Sequence, residues 1–286
     1  MSLFKPSVLK NFLRELEAAP NKNLSQNFLI DGNILNKILA AAEVTPGDFV
    51  VEIGPGPGVL TEALLKKGAY VLAIEKDKKF AQSLKRFESP HFECLAIDFL
   101  AVDLQDELKN RLKSSQKAKV ISNIPYHLTG IILQRLLPLH ETISQLTLMM
   151  QKEVTERCLS EPKEKNYSSF TLFTRFYSHP KFLFKVEPSC FYPKPSVSSA
   201  VMQLTLRKPT HEVDTRFLFA ITRTAFKQRR KMLRASLKSL FSAQEVEAIL
   251  QSLGLKPTAR PEELTLEMFL CFAQRLKDKK ENCPYT

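Results

Sequence analysis

Glycine recurs at every second position of Gly54-Pro55-Gly56-Pro57-Gly58, between the β-rich run Phe49-Val50-Val51-Glu52-Ile53 and a helix pattern from Val59 to Lys67. Residues without a Cβ let a backbone turn sharply and come close to a ligand. An ordinary strand-to-helix turn does not need three glycines alternating with two prolines, so the loop reads as a binding loop. In open α/β sheets, ligands bind beyond the carboxyl ends of strands, and this is such an end. Glu75 closes the next β-rich run, 17 residues after Gly58, where a carboxylate can accept from both hydroxyls of a ribose. The loop and Glu75 together suit a nicotinamide dinucleotide or S-adenosylmethionine equally. Two features favour the second. Asp98 ends a third run, where it can accept from an adenine amino group, although an Asp there also suits a helix N-cap. Asn123-Ile124-Pro125-Tyr126 ends a fourth, and a dehydrogenase has no use for it.

Asn123 and its neighbours fit a methyl acceptor of one kind. The amino nitrogen of adenine is a poor nucleophile because its lone pair is delocalised into the ring. Two acceptors bonding its two N–H groups draw it towards tetrahedral geometry and aim the lone pair at a methyl group. Asn123 offers a side-chain oxygen, and the carbonyl of Ile124 or Pro125 a second acceptor, with Pro125 stiffening the turn. Tyr126 can stack on a base taken out of its helix, a contact worth roughly 1–3 kcal/mol. Phe191-Tyr192-Pro193-Lys194-Pro195 is a second, proline-braced aromatic site that can hold Phe191 against the other face of the base. The plainer alternative there is an edge loop with a buried Phe191. The expected catalytic residues are thus Asn123, Tyr126 and Phe191.

The elements that must position these groups follow from the apolar runs. Runs at 49–53, 70–74, 92–97, 119–122, 145–150, 181–186 and 200–206 read as strands. The first four alternate with helix-length stretches, which implies a mostly parallel sheet. The last two are separated only by a proline-containing loop and suit an antiparallel hairpin at the sheet's edge. Residues 6–19 suggest a short helix and 21–26 a polar loop. After Leu206, Lys208-Pro209-Thr210 reads as a linker, and only helical periodicity follows from Asp214. The expected division is a cofactor-binding catalytic domain over 1–207 and a small all-α domain over 208–286.

The chain of 286 residues carries a net charge of +12, which predicts an anionic partner. Residues 1–204 hold 26 basic and 21 acidic side chains, and residues 205–286 hold 16 and 9, so the last 82 residues carry more than half of the excess. Seven basic residues and no acidic one fall between Arg223 and Lys238. On one continuous helix Arg223, Lys227, Lys231, Arg234 and Lys238 would share a face, with Arg230 beside them. A solvated face normally mixes signs, so this one is read as a phosphate-binding face. The most apolar stretch, Gly130 to Leu139, is broken by Gln134, Arg135 and Pro138 and falls short of the about 20 residues a spanning helix needs. No secretory signal core is apparent, the five cysteines are scattered without a C-x-x-C, and the five histidines are dispersed. The expectation is a cytoplasmic, monomeric protein with no membrane association and no metal.

Taken together, these motifs resemble the ribosomal RNA adenine N6-dimethyltransferase family from Ser25 to about Leu270. The small-subunit branch, which dimethylates two adjacent adenines near the 3′ end of 16S rRNA, is the nearer match. The resemblance implies a Rossmann-like class I methyltransferase with a seven-stranded sheet, S-adenosylmethionine as cofactor, and 16S rRNA in the small subunit or its precursor as partner. It also gives meaning to Gln26-Asn27-Phe28-Leu29-Ile30-Asp31, a segment that closes over the cofactor in the family. The implied cofactor-contacting positions are Asn27, Leu29, Gly54, Gly56, Glu75, Asp98 and Asn123. Ala225 to Lys231, with Leu233 and Arg234, is family-like too. Ser25 and Ser122 stand where glycine is usual, Ile124 and His127 where leucine and asparagine are common, and Ser196 and Ser198 where lysine and aspartate are usual. Other readings compatible with the motifs are a large-subunit methyltransferase of the erythromycin-resistance type, a non-catalytic RNA-binding assembly factor and, least well matched, a DNA adenine methyltransferase.

Overall fold

The computed structural model describes residues 3–20, 26–209 and 213–281. Most of the expected polar loop at 21–26, including Ser25, and Thr210 of the expected linker lie outside these residues. The chain forms two compact units. The first comprises Met1–Thr155 and Ser178–Arg207, and the second Glu156–Tyr177 and Lys208–Thr286. The expected boundary at 207/208 is present, but 156–177 groups with the C-terminal residues. It holds the end of one helix and all of the next, contiguous in sequence with the sheet's strands, and only the contacts made in the fold reveal where it belongs.

In the first unit, chain order runs α1 (Pro6–Glu15), β1 (Phe28–Leu29), α2 (Gly32–Ala41), β2 (Phe49–Ile53), α3 (Val59–Lys66), β3 (Tyr70–Ile74), α4 (Lys78–Ser83), β4 (Phe92–Leu95), α5 (Leu104–Lys109), β5 (Ala118–Asn123), α6 (Thr129–Leu136) and β6 (Ile143–Gln151). Helices α7 (Lys152–Leu159) and α8 (Ser169–Tyr177) follow, then β7 (Ser178–Val186), β8 (Phe191–Tyr192) and β9 (Ser199–Leu206). All seven expected strands are present in one sheet of order β4-β3-β2-β5-β6-β9-β7. The β2–β3, β2–β5, β3–β4 and β5–β6 pairs are parallel. β9 runs antiparallel to both of its neighbours, β6 and β7. Val50, Val51, Val120 and Ile121 in the central strands are completely buried, as parallel strands covered on both faces must be. Strand order reverses between β2 and β5, and a crevice opens beyond the carboxyl ends at such a switch point.

Two features escaped sequence reading. β1 and β8 form a separate two-stranded antiparallel sheet, with Phe28 opposite Tyr192 and Leu29 opposite Phe191. Helix α1 ends at Glu15, short of the expected residue 19, and Glu17 takes a positive φ of 47°.

In the second unit, α9 (Thr215–Phe226), α10 (Leu233–Ser236), α11 (Ala243–Ser252) and α12 (Leu266–Glu281) follow the linker. The continuous basic helix expected over 223–238 does not form. Helix α9 stops at Phe226, Lys231 N–H closes a turn on the Gln228 carbonyl (2.8 Å), and Met232 is extended at ψ 145°. Two tertiary ties force the break. Leu233 N–H donates to the Ala259 carbonyl at 2.7 Å. Arg229 turns inward to donate to Glu262 (2.6 Å), to the Glu164 carbonyl (3.0 Å) and to the Lys165 carbonyl.

Candidate active site

The glycine loop closes against its surroundings at two points where any Cβ would intrude. Gly56 has φ 55°, and a Cβ there would lie 2.9 Å from the Phe28 ring. Gly58 has φ 83°, and its Cβ would lie 2.6 Å from Phe87 and 2.8 Å from Leu84. Both positive φ values and both close approaches demand glycine. The Gly54 N–H donates to the Ile74 carbonyl (2.9 Å), which fixes the start of the loop to the end of β3.

One cavity at the carboxyl ends of the strands collects the expected cofactor-binding and catalytic residues except Phe191. Asn27, Leu29, Gly54, Gly56, Glu75, Asp98, Asn123 and Tyr126 all line it. Glu75 is buried, and its two oxygens accept from Gly56 N–H and Asp77 N–H, each at 2.8 Å. Burial raises its carboxyl above the ordinary range, against the pull of those two donors. Two carboxylate oxygens offer about four lone-pair directions, so the group retains acceptor capacity beyond its backbone donors. Asp98 does cap the short 3₁₀ turn after it, accepting from Leu100 N–H at 2.9 Å. It also pairs with Lys76 Nζ at 2.7 Å, and that cation holds its carboxyl below the usual carboxylate range.

The reacting-group end is tied to the N-terminal segment. Asn123 Nδ2 donates to the Asn27 carbonyl at 2.9 Å, which fixes the amide and leaves Oδ1 as the acceptor. Ser122, beside it, donates from Oγ to the Ile53 carbonyl at 2.5 Å and adds a side-chain tie between β5 and β2. The Tyr126 hydroxyl is 2.6 Å from Ser199 Oγ, and burial pushes its phenol above the ordinary value. Ser199 opens β9. Because that strand is reversed, its first residue lies opposite Gln151 at the far end of β6 and so reaches the site. The Pro125 carbonyl already accepts from Leu128 N–H (3.1 Å) and Thr129 Oγ1 (3.4 Å), which leaves the Ile124 carbonyl as the better second acceptor.

Phe191 departs from expectation. Its side chain is 3 % exposed and packs in the core with Leu29, Met149, Val186 and Val201 rather than lining the cavity. Pairing with β1 turns its ring inward, and the buried-loop alternative describes it. The Tyr192–Pro193 peptide that follows is cis. Of the expected phosphate-binding residues, Arg223, Lys227, Arg230, Lys231 and Lys238 are exposed, whereas Arg234 is half-buried and paired with Glu247.

Sequence reading missed other residues in the cavity wall, including Glu52, Lys76, Phe28 and His127. Glu52 is 2 % exposed and accepts from Thr61 Oγ1 at 2.6 Å, and burial pushes its carboxyl up to about 8. A charged residue inside an otherwise apolar run of a buried strand was the available signal. Among the described residues no group of three His, Cys, Asp or Glu side chains could hold a metal ion, and no helix is long and apolar enough to cross a membrane.

Comparison with known proteins agrees with this geometry. The chain is 50 % identical over 272 residues to ribosomal RNA small subunit methyltransferase A of Protochlamydia amoebophila, covering 94 % of this chain and 96 % of that one. It is 43 % identical over 279 residues to the protein of the same name from Chlamydia muridarum, covering 94 % and 97 %. Among solved structures it resembles a dimethyladenosine transferase from Plasmodium falciparum, with a TM-score of 0.76 and 23 % identity over 88 % of this chain and 98 % of that one. It also resembles the 23S rRNA methyltransferase ErmE, with a TM-score of 0.65 and 28 % identity over 88 % and 100 %. The family model described as ribosomal RNA adenine dimethylase matches residues 18–278, and the chain therefore belongs to that family of rRNA adenine dimethyltransferases.

Proposed function

We propose that this chain transfers methyl groups from S-adenosylmethionine to the N6 atoms of two adjacent adenines near the 3′ end of 16S rRNA. The observation that carries this reading is the pinned amide of Asn123, whose Oδ1 is left to accept at one end of a cavity that holds Glu75 and Asp98 elsewhere in its wall. The cavity fits the cofactor. Gly56 lacks the Cβ that would run into Phe28 in the cavity wall, Glu75 keeps lone pairs for ribose hydroxyls, and Leu29, Val59, Leu60 and Ile132 give apolar wall. Asp98 suits an adenine amino group, though Lys76 shares its carboxylate. When bound, the cofactor supplies an electrophilic methyl group on a sulfonium.

The chain's own residues orient the acceptor. Asn123 Oδ1 and the Ile124 carbonyl accept the two N6 hydrogens, so the nitrogen lone pair is aimed rather than conjugated. Tyr126, held through its hydroxyl by Ser199, stacks on the extruded base. Exposed Arg223, Lys227, Arg230, Lys231 and Lys238 hold rRNA phosphates, with Arg234 contributing less because Glu247 already pairs with it.

Incubating the protein with unmethylated small and large ribosomal subunits in parallel, with labelled cofactor, then digesting each rRNA, tests the reading. N6,N6-dimethyladenosine at two adjacent 16S positions is expected. The likeness to ErmE keeps a 23S substrate as a second reading, and label appearing only in large-subunit RNA would establish that instead.

A further inference from the structure

Arg86 lies outside the cavity wall and belongs to none of the motifs that identify the family. It sits on the 3₁₀ turn Leu84–Phe87 that follows α4, 29 residues from the glycine loop. Its Nη2 donates to the Pro57 carbonyl, inside the loop. Its Nη1 donates to the Ser83 carbonyl at 2.7 Å, which fixes the guanidinium to its own turn. The guanidinium carbon lies 4.2 Å from the centre of the Phe87 ring and 4.8 Å from that of Phe12 on α1. Such cation–π contacts orient a planar cation as well as attract it.

The Pro57 carbonyl precedes Gly58, the N-cap of α3, and so lies before the helix ladder begins. Arg86 supplies its donor. The same guanidinium stands 3.0 Å from where a Gly58 Cβ would be, so the wall made by Leu84, Arg86 and Phe87 is the surface the loop is moulded on. On the other side of the loop, Gly56 N–H is held by Glu75. Pro55, Gly56 and Pro57 are therefore gripped from two directions, by Glu75 within the cavity and by Arg86 outside it.

We propose that Arg86 is a positioning residue for cofactor binding, holding the Pro57 carbonyl so that the loop keeps its cofactor-ready shape and linking that loop to α1 through Phe12. This rests on the cofactor reading above but assigns a residue that touches no cofactor atom.

The test is calorimetric titration of S-adenosylmethionine and of S-adenosylhomocysteine into the parent protein, Arg86→Met and Arg86→Lys. Arg86→Met keeps a long apolar stem and loses the donor, so both ligands should bind about fivefold more weakly, the equivalent of one net hydrogen bond. Arg86→Lys retains a donor within reach and should recover most of that loss. In methylation assays KM for the cofactor should rise in Arg86→Met while kcat at saturation holds. Parent affinity in Arg86→Met, or equal losses in the Met and Lys variants, would overturn the proposal. Because Arg86 is solvent-exposed along part of its length, both variants should fold; if Arg86→Met does not, Arg86→Gln, too short to reach the Pro57 carbonyl, takes its place and is read the same way. Absence of binding by the parent protein would bring down the cofactor reading itself, a distinct result.

Discussion

On the proposed reading, Asn123 is a side chain held ready for one task. Its amide nitrogen is occupied by the Asn27 carbonyl, so the oxygen needs no reorientation when a base arrives. Replacing it with alanine should lower the single-turnover methylation rate by about 10²–10³ while cofactor affinity falls little. Rates and calorimetry on the same preparation check this, and a fully active Asn123→Ala would shift the orienting role to another group. Glu52 makes a different prediction, about stability. An unfolded glutamate releases its proton near 4.5, whereas the buried Glu52 holds it up to about 8. Between those values the folded state binds the extra proton, so stability falls as pH rises through the window. Glu52→Gln can still accept from Thr61 but cannot ionise. Its urea-unfolding free energy should lose this falling component from about pH 5 to 8, and should exceed the parent's at the upper end by a few kcal/mol. A pH profile identical to the parent's would mean that Glu52 is already ionised in the fold.

At the scale of elements, the glycine loop and its wall are one packed object. Gly58→Ala combines a left-handed φ with a methyl group driven into Phe87 and Leu84. About 2–4 kcal/mol of stability should be lost, seen as a lower urea midpoint, together with most cofactor binding. The strands that carry this loop were legible in the sequence because buried parallel strands are continuous apolar runs, and the antiparallel β7 and β9 stood out as apolar runs as well. Asn123, Glu75 and Asp98 were legible because each ends or closely follows such a run. The β1–β8 pair was not, because two residues per strand leave no periodicity and only the fold brings 28–29 to 191–192. Phe191 was misplaced for the same reason: its partner strand, not its own neighbours, decides which way the ring faces. The basic helix was over-extended because spacing at three and four residues cannot register that Arg229 is recruited by Glu262 and two carbonyls.

At the scale of the whole molecule, that misreading separates two kinds of arginine and lysine in one segment. Lys227 and Lys231 are exposed, whereas Arg229 is a structural hub of the second unit. Lys227→Gln with Lys231→Gln should leave the unfolding temperature unchanged and weaken binding to small ribosomal particles. The slope of log K against log salt should fall by roughly 0.7–0.9 for each phosphate no longer neutralised. Arg229→Met should do the reverse in kind, lowering the unfolding temperature because two carbonyls and the Glu262 carboxylate lose their donor. Binding isotherms at several salt concentrations, beside thermal melts, distinguish them. An unchanged salt slope in the folded lysine pair would remove the phosphate-binding role from this segment.

The acceptor for Asn123 Nδ2 is a main-chain carbonyl, not a side chain. Scanning mutagenesis is therefore blind to it: every substitution at position 27 leaves a carbonyl in place, and such a variant reports only what the Asn27 side chain does. Replacing the amide with an ester that follows residue 27, by protein semisynthesis, would keep that oxygen but weaken it as an acceptor. The bond that pins the Asn123 amide is thus encoded by the path of the chain rather than by the identity of a residue, and a relative can keep it while position 27 drifts.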